Sequence, residues 1–103
     1  MRDVTDRDFD QVVDRAGVPV LVEFWKPGCG SCVALMRELE KLEPDVTGKV
    51  LILKMNVEEN CQIPAELEVR SLPVLALYHQ GAFERFIGGL GTREEILKQL
   101  RVT

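Results

Sequence analysis

Cys29 and Cys32, in the run Cys-Gly-Ser-Cys, stand where a strand-like run ends and a helix-like run begins. Upstream, Val18-Pro19-Val20-Leu21-Val22-Glu23-Phe24-Trp25 is short, β-branched and aromatic, the pattern of a buried strand. Downstream, the stretch from Val33 to Leu42 has no Gly or Pro and carries apolar residues at helical spacing. Two thiols so spaced can close a small disulfide ring. At a helix start, the first also meets unpaired backbone N–H groups and the positive end of the macrodipole. That setting stabilises a thiolate, which is the nucleophile in disulfide exchange. The junction therefore demands a strand that hands its chain directly to a helix, with a reversible dithiol at the hand-over.

The rest of the chain limits what can surround this junction. Its 103 residues suffice for one domain, residues 1–103, with a single core. A net charge of −4 offers no basic stripe for phosphate, so nucleic acid is not an expected partner. No apolar stretch approaches the ~20 residues of a bilayer span, so no membrane is expected. Residues 1–10 lack the apolar core of a secretory signal. The expected compartment is the cytoplasm, where three cysteines point to catalysis, metal binding or burial rather than to a disulfide framework.

Along the chain, Thr5 to Ala16 reads as a first helix, with Thr5 and Asp8 as a capping box and Phe9, Val12 and Val13 on one apolar face. Gly17 ends it. Val18 to Phe24 reads as a strand, followed by a helix from Gly30 to Glu43 that stops at Pro44. Val50 to Asn56 is a second buried strand, and the intervening helix implies parallel pairing. A short helix is expected from Pro64 to Glu68. Val74–Tyr78 and Phe83–Ile87 flank a hairpin turn at His79-Gln80-Gly81-Ala82. Thr92 and Glu95 open a last helix with Ile96, Leu97 and Leu100 inward. Any strand ahead of the first helix is very short, at Asp3-Val4. The order predicts an α/β fold, a central mixed sheet of four to five strands with helices on both faces.

Taken together, these features resemble the thioredoxin family over nearly the whole chain. Val20-Leu21-Val22-Glu23-Phe24-Trp25 before Cys29-Gly30-Ser31-Cys32 is similar to the family's strand and active-site run. Leu53-Lys54-Met55-Asn56-Val57-Glu58 resembles its central strand, and Val69-Arg70-Ser71-Leu72-Pro73-Val74 its loop with a cis-proline. Gln80-Gly81 and Gly88-Gly89 fall where the family has a hairpin glycine and a glycine beside the site. The chain also departs from the pattern. Ser31 replaces the proline of the usual Cys-Gly-Pro-Cys, Gly28 stands in place of a tryptophan, Glu23 in place of a buried aspartate, Val33 in place of a basic residue, and Arg37 in place of a helix-kinking proline.

The resemblance implies a thioredoxin fold and a protein-disulfide reductase. In it Cys29, the more exposed thiol, attacks a protein disulfide, and Cys32 resolves the mixed disulfide. Glu23, on a strand next to that of Lys54, would accept the Cys32 proton; an ion pair without catalytic part is the alternative for these two. Trp25, Gly28, Leu72, Pro73 and Gly88 make up the implied substrate-binding set, with Leu72–Pro73 cis and the Leu72 backbone free to pair with substrate; from the residues alone, Trp25 reads as core packing, and a strand-starting proline is the alternative for Pro73. Ser31 adds an N–H and a hydroxyl that proline lacks, which favours the Cys29 thiolate and a less reducing pair. No cofactor or metal is implied. The partners are protein disulfides and an external reductase such as a thioredoxin reductase, and a monomer is expected. A zinc knuckle of Cys29, Cys32, Cys61 and His79 is the metal alternative. A more oxidising glutaredoxin- or isomerase-like member, or a non-catalytic adaptor domain, are the functional ones. Cys61 reads as a small half-buried residue and His79 as a solvated turn residue.

Overall fold

Strand β2 (Val20–Trp25) has its first five residues buried, so it must lie inside a sheet covered on both faces. A computed structural model, describing residues 1–88 and 91–100, places it there. Around it, in chain order, are β1 (Arg2–Asp3), α1 (Phe9–Arg15), β2, α2 (Gly30–Val46), β3 (Leu51–Asn56), α3 (Gln62–Glu66), β4 (Val74–His79), β5 (Ala82–Ile87) and α4 (Arg93–Leu100). The sheet order is β1-β3-β2-β4-β5. β3 runs parallel to both β1 and β2, whereas β4 is antiparallel to β2 and to β5.

Two apolar layers follow from the period-2 alternation of the strands. Leu21, Ile52, Leu75, Leu77 and Ile87 face α2 and α4, meeting Leu35, Leu39, Leu42, Ile96 and Leu100. Val20, Val22, Phe24, Leu53, Met55 and Ala76 face the other way, against Phe9 and Val13 of α1 and Ile63 of α3. One row of register partners crosses the whole sheet on the α2 side: Asp3, Lys54, Glu23, Leu75 and Ile87. A carboxylate thus occupies the middle of an otherwise apolar layer.

Several element bounds differ from the sequence-based ones. The first helix begins at Phe9, because Thr5–Asp8 form the capping turn that precedes it. There the Thr5 N–H donates to Asp8 Oδ1 at 2.8 Å and the Asp8 N–H to Thr5 Oγ1 at 3.3 Å. The bond from the Thr5 N–H holds the Asp8 carboxyl below its usual range. Pro44 does not stop the second helix, which runs on to Val46 with that valine fully buried; a proline removes one N–H bond, and here burial of the last turn outweighs it. The third helix lies two residues earlier than expected, at Gln62–Glu66, and Glu68 has φ +55°. β1 is Arg2–Asp3 rather than Asp3-Val4, although the Val4 N–H still donates to the Lys54 carbonyl at 2.9 Å. The β4–β5 turn has positive φ at both Gln80 and Gly81, the geometry whose twist suits a two-residue hairpin.

Candidate active site

The C-terminal end of β2 leads through Lys26, Pro27 and Gly28 to Cys29, the N-cap of α2. Gly28 has φ +83°, a backbone conformation that a side chain would strain, and a Cβ added there would meet nothing within 4 Å. The Cys29 carbonyl accepts the Val33 N–H at 3.2 Å, which starts the helix. Its Sγ accepts the Cys32 N–H at 3.2 Å and lies 3.5 Å from Ser31 Oγ. The cap role normally filled by an oxygen is thus filled by sulfur, and the helix start donates to it.

Cys29 and Cys32 form a disulfide with their Cα atoms 5.2 Å apart. Cys32 is fully buried and Cys29 half-buried, so an incoming group meets the Cys29 sulfur first. Cys61 is a free thiol and exposed, not half-buried; it stands at the N-cap position of the short α3, where its side chain makes no capping bond. His79 is exposed at the end of β4. Among the described residues no group of three or more His, Cys, Asp or Glu side chains could hold a metal ion, so Cys29, Cys32, Cys61 and His79 are not brought together.

Glu23 is fully buried, on the same sheet face as the α2 core residues, and neither carboxylate oxygen has a hydrogen-bond partner among the described residues. Burial pushes its carboxyl up to about 8, against a smaller lowering by Lys54. Lys54 is its direct register partner, yet the ammonium does not close on the carboxylate. It lies 3.8 Å from Asp3 Oδ1 and 5.7 Å from the Trp25 ring centroid. Trp25 is half-buried, and its Nε1 is buried without a hydrogen-bond partner among the described residues.

The Leu72–Pro73 bond is cis. Register puts this loop at the end of the sheet where β2 delivers Cys29, because Val74 pairs with Phe24. Gly88 follows β5 at the same end. The Gln99 side chain of α4 holds it on both sides, accepting its N–H at 3.1 Å and donating to its carbonyl. Gln99 was not legible as a site support, since it acts through a contact eleven residues away. Gly89, the next residue of the sequence resemblance, lies outside the described residues.

A disulfide at the N-terminus of a helix, fed by the central strand of a mixed sheet and beside a cis-proline loop, defines a thiol–disulfide exchange protein. Comparison with known proteins narrows the class. The Thioredoxin family profile matches residues 1–102, and the chain belongs to that family. It is 44% identical over 78 residues to the thioredoxin of Haemophilus influenzae, covering 76% of this chain and 73% of that one. It is 37% identical over 94 residues to the thioredoxin of Rickettsia felis, covering 91% and 90%. To the thioredoxin of Pseudomonas aeruginosa it is 38% identical over 81 residues, covering 79% and 75%. The chain is a thiol–disulfide oxidoreductase with protein-disulfide reductase activity. No helix among the described residues is long and apolar enough to cross a membrane.

Proposed function

We propose that this chain carries electrons from an external reductase, of the thioredoxin reductase kind, to protein disulfides in the cytoplasm. It would act as a single domain and a monomer. The observation that carries the division of labour is the asymmetry of the pair: a half-buried sulfur at the helix cap and a fully buried one a turn deeper.

In the reduced protein the Cys29 thiolate, favoured by the Cys32 N–H and the Ser31 hydroxyl, attacks one sulfur of the substrate disulfide. A mixed disulfide forms, and the displaced substrate sulfur leaves as a thiolate that takes up a proton. The Cys32 thiol then gives its proton through water to the Glu23 carboxylate and attacks Cys29 Sγ. The second substrate sulfur leaves as a thiolate and takes up a proton, Glu23 gives up the one it accepted, and the protein ends as the Cys29–Cys32 disulfide. A carboxyl that titrates near 8 is matched to a thiol of ordinary acidity, which suits it to this transfer. Lys54 sets the charge beside Glu23. Trp25, Gly28 and Gly88 border the approach to Cys29, and the Leu72 backbone with Pro73 docks an extended substrate.

The test is trapping. Cys32→Ser should accumulate a mixed disulfide with a protein substrate, through Cys29, that dithiothreitol releases, while Cys29→Ser should accumulate none. Capture through Cys32 or Cys61 instead would reverse the assignment.

A further inference from the structure

β5 is the last strand of the sheet, so one side of its backbone has no neighbouring strand among the described residues. After Ile87, the partner of Leu75, the chain leaves the sheet through Gly88, beside the loop of Leu72 and Pro73 that feeds β4. Gly88 is exposed and, as a glycine, is not fixed by its own backbone preferences. Here a side-chain amide stands in for the missing strand. Gln99 Oε1 accepts the Gly88 N–H at 3.1 Å, and Gln99 Nε2 donates to the Gly88 carbonyl. The same residue is tied to β5 a second time, because the Arg85 guanidinium donates to the Gln99 carbonyl. That carbonyl lies in the last turn of α4, where helix carbonyls have no intrahelical partner. Stability alone does not call for this arrangement. α4 is already anchored by Ile96 and Leu100, buried among the α2 core residues. The bonds to Gly88 are exposed, and water replaces exposed bonds at little cost.

We propose that Gln99 is a positioning residue for substrate docking: its amide fixes the Gly88 peptide groups and so holds the β5 side of the approach to Cys29 in one shape. The inference rests on the reading of Gly88 as part of that approach and adds the residue that orders it. With its N–H already taken, Gly88 offers a docked chain a surface rather than a donor, and backbone pairing falls to Leu72. Without the amide, Gly88 gains freedom that each docking event must remove again. The penalty falls on binding and not on the exchange between sulfurs.

The experiment separates KM from kcat with two substrates: insulin, a folded protein disulfide, and hydroxyethyl disulfide, which has no chain to lay against Gly88. Gln99→Met keeps the length and helix preference of the side chain but neither polar group. It should raise KM for insulin roughly fivefold, the effect of one interface contact. Its kcat on insulin, its rate on hydroxyethyl disulfide and its reduction potential should equal those of wild type. Amide hydrogen exchange reads the bond itself, and the Gly88 N–H should exchange faster in the variant. Gln99→Glu keeps an acceptor for that N–H but sets a carboxylate against the Gly88 carbonyl, so it should raise KM as well; it carries the test if Gln99→Met fails to fold. A wild-type KM in the folded variant overturns the proposal, whether or not exchange changes. So does a loss of kcat shared by both substrates or a shifted potential, either of which would place Gln99 in the dithiol chemistry or in the fold at large. Gly88→Val separates the proposal from the reading beneath it, because a Cβ at that position meets nothing within 4 Å. If this variant keeps the wild-type KM for insulin, Gly88 does not border the approach and both readings fall. If it raises KM while the Gln99 variants do not, the role of Gln99 alone is lost.

Discussion

At the scale of single residues, one difference from the family's usual motif is Ser31. Its hydroxyl lies 3.5 Å from Cys29 Sγ, where a proline ring would offer no donor. On reduction the hydroxyl can turn its proton toward the thiolate, which stabilises the dithiol state over the disulfide. One such bond to a charged group contributes about 1.5 kcal/mol, and for a two-electron couple about 1.4 kcal/mol corresponds to ~30 mV. Ser31→Pro should therefore make the pair more reducing by a few tens of millivolts. Redox titration of both proteins against a glutathione or dithiothreitol buffer checks this, and an unchanged or less negative potential in the variant refutes the hydrogen-bond account.

At the scale of elements, the start of α3 is held from outside its own sequence. The Asp6 carboxylate accepts the Gln62 and Ile63 N–H groups, each at 2.9 Å, while the Asp6 N–H donates to Asn60 Oδ1 at 2.8 Å. This acts as an N-cap supplied by a distant residue, so Asp6→Ala should cost about 1–2 kcal/mol. Urea unfolding should show a lower midpoint at unchanged slope; an unchanged midpoint would mean that water replaces the carboxylate at no cost. This clasp also shows where reading the sequence stops. The strands, the dithiol junction and the hairpin at Gln80-Gly81 were legible because each depends on neighbours in sequence: a β-branched run, a cysteine pair, a glycine that tolerates positive φ. The Thr5–Asp8 capping box was legible too, though the regular helix begins only after it. The bounds of α3, the passage of α2 through Pro44 and the exposure of Cys61 were not, because tertiary burial and the Asp6 clasp decide them. At the site, Glu23 and Lys54 were foreseeable as charges within apolar runs. The turning of Lys54 toward Asp3 and the grip of Gln99 on Gly88 depend on residues far apart in the chain.

At the scale of the whole molecule, a buried carboxyl makes folding stability depend on pH. Glu23 titrates near 4.5 when unfolded and near 8 when folded. Between these values the folded protein keeps a proton that the unfolded chain has released. Its contribution is thus fully present below about 4.5 and is lost as pH rises through about 8. The slope approaches about 1.4 kcal/mol per pH unit, so the loss across the window is on the order of a few kcal/mol. Glu23→Gln should flatten this dependence and be more stable than wild type at pH 9, by urea unfolding of the oxidised proteins, with pH 9 lying about a unit above the folded-state titration. Equal slopes in the two proteins would mean that Glu23 is ionised and solvated in the fold.

The row Asp3, Lys54, Glu23 links a two-residue strand at the edge of the sheet to the buried carboxyl at its centre. For anyone engineering the protein, the consequence is practical. Asp3 draws the Lys54 ammonium outward; in Asp3→Asn, or behind a tag that displaces β1, that ammonium is free to turn toward Glu23 and make it a stronger acid. The acid limb of the reductase activity should then move to lower pH, while the maximum rate on the alkaline side stays where it was. A pH–rate profile of Asp3→Asn beside wild type reads this directly, and coincident profiles would show that the edge strand is silent. A purification handle chosen for convenience would otherwise retune the enzyme without touching either cysteine.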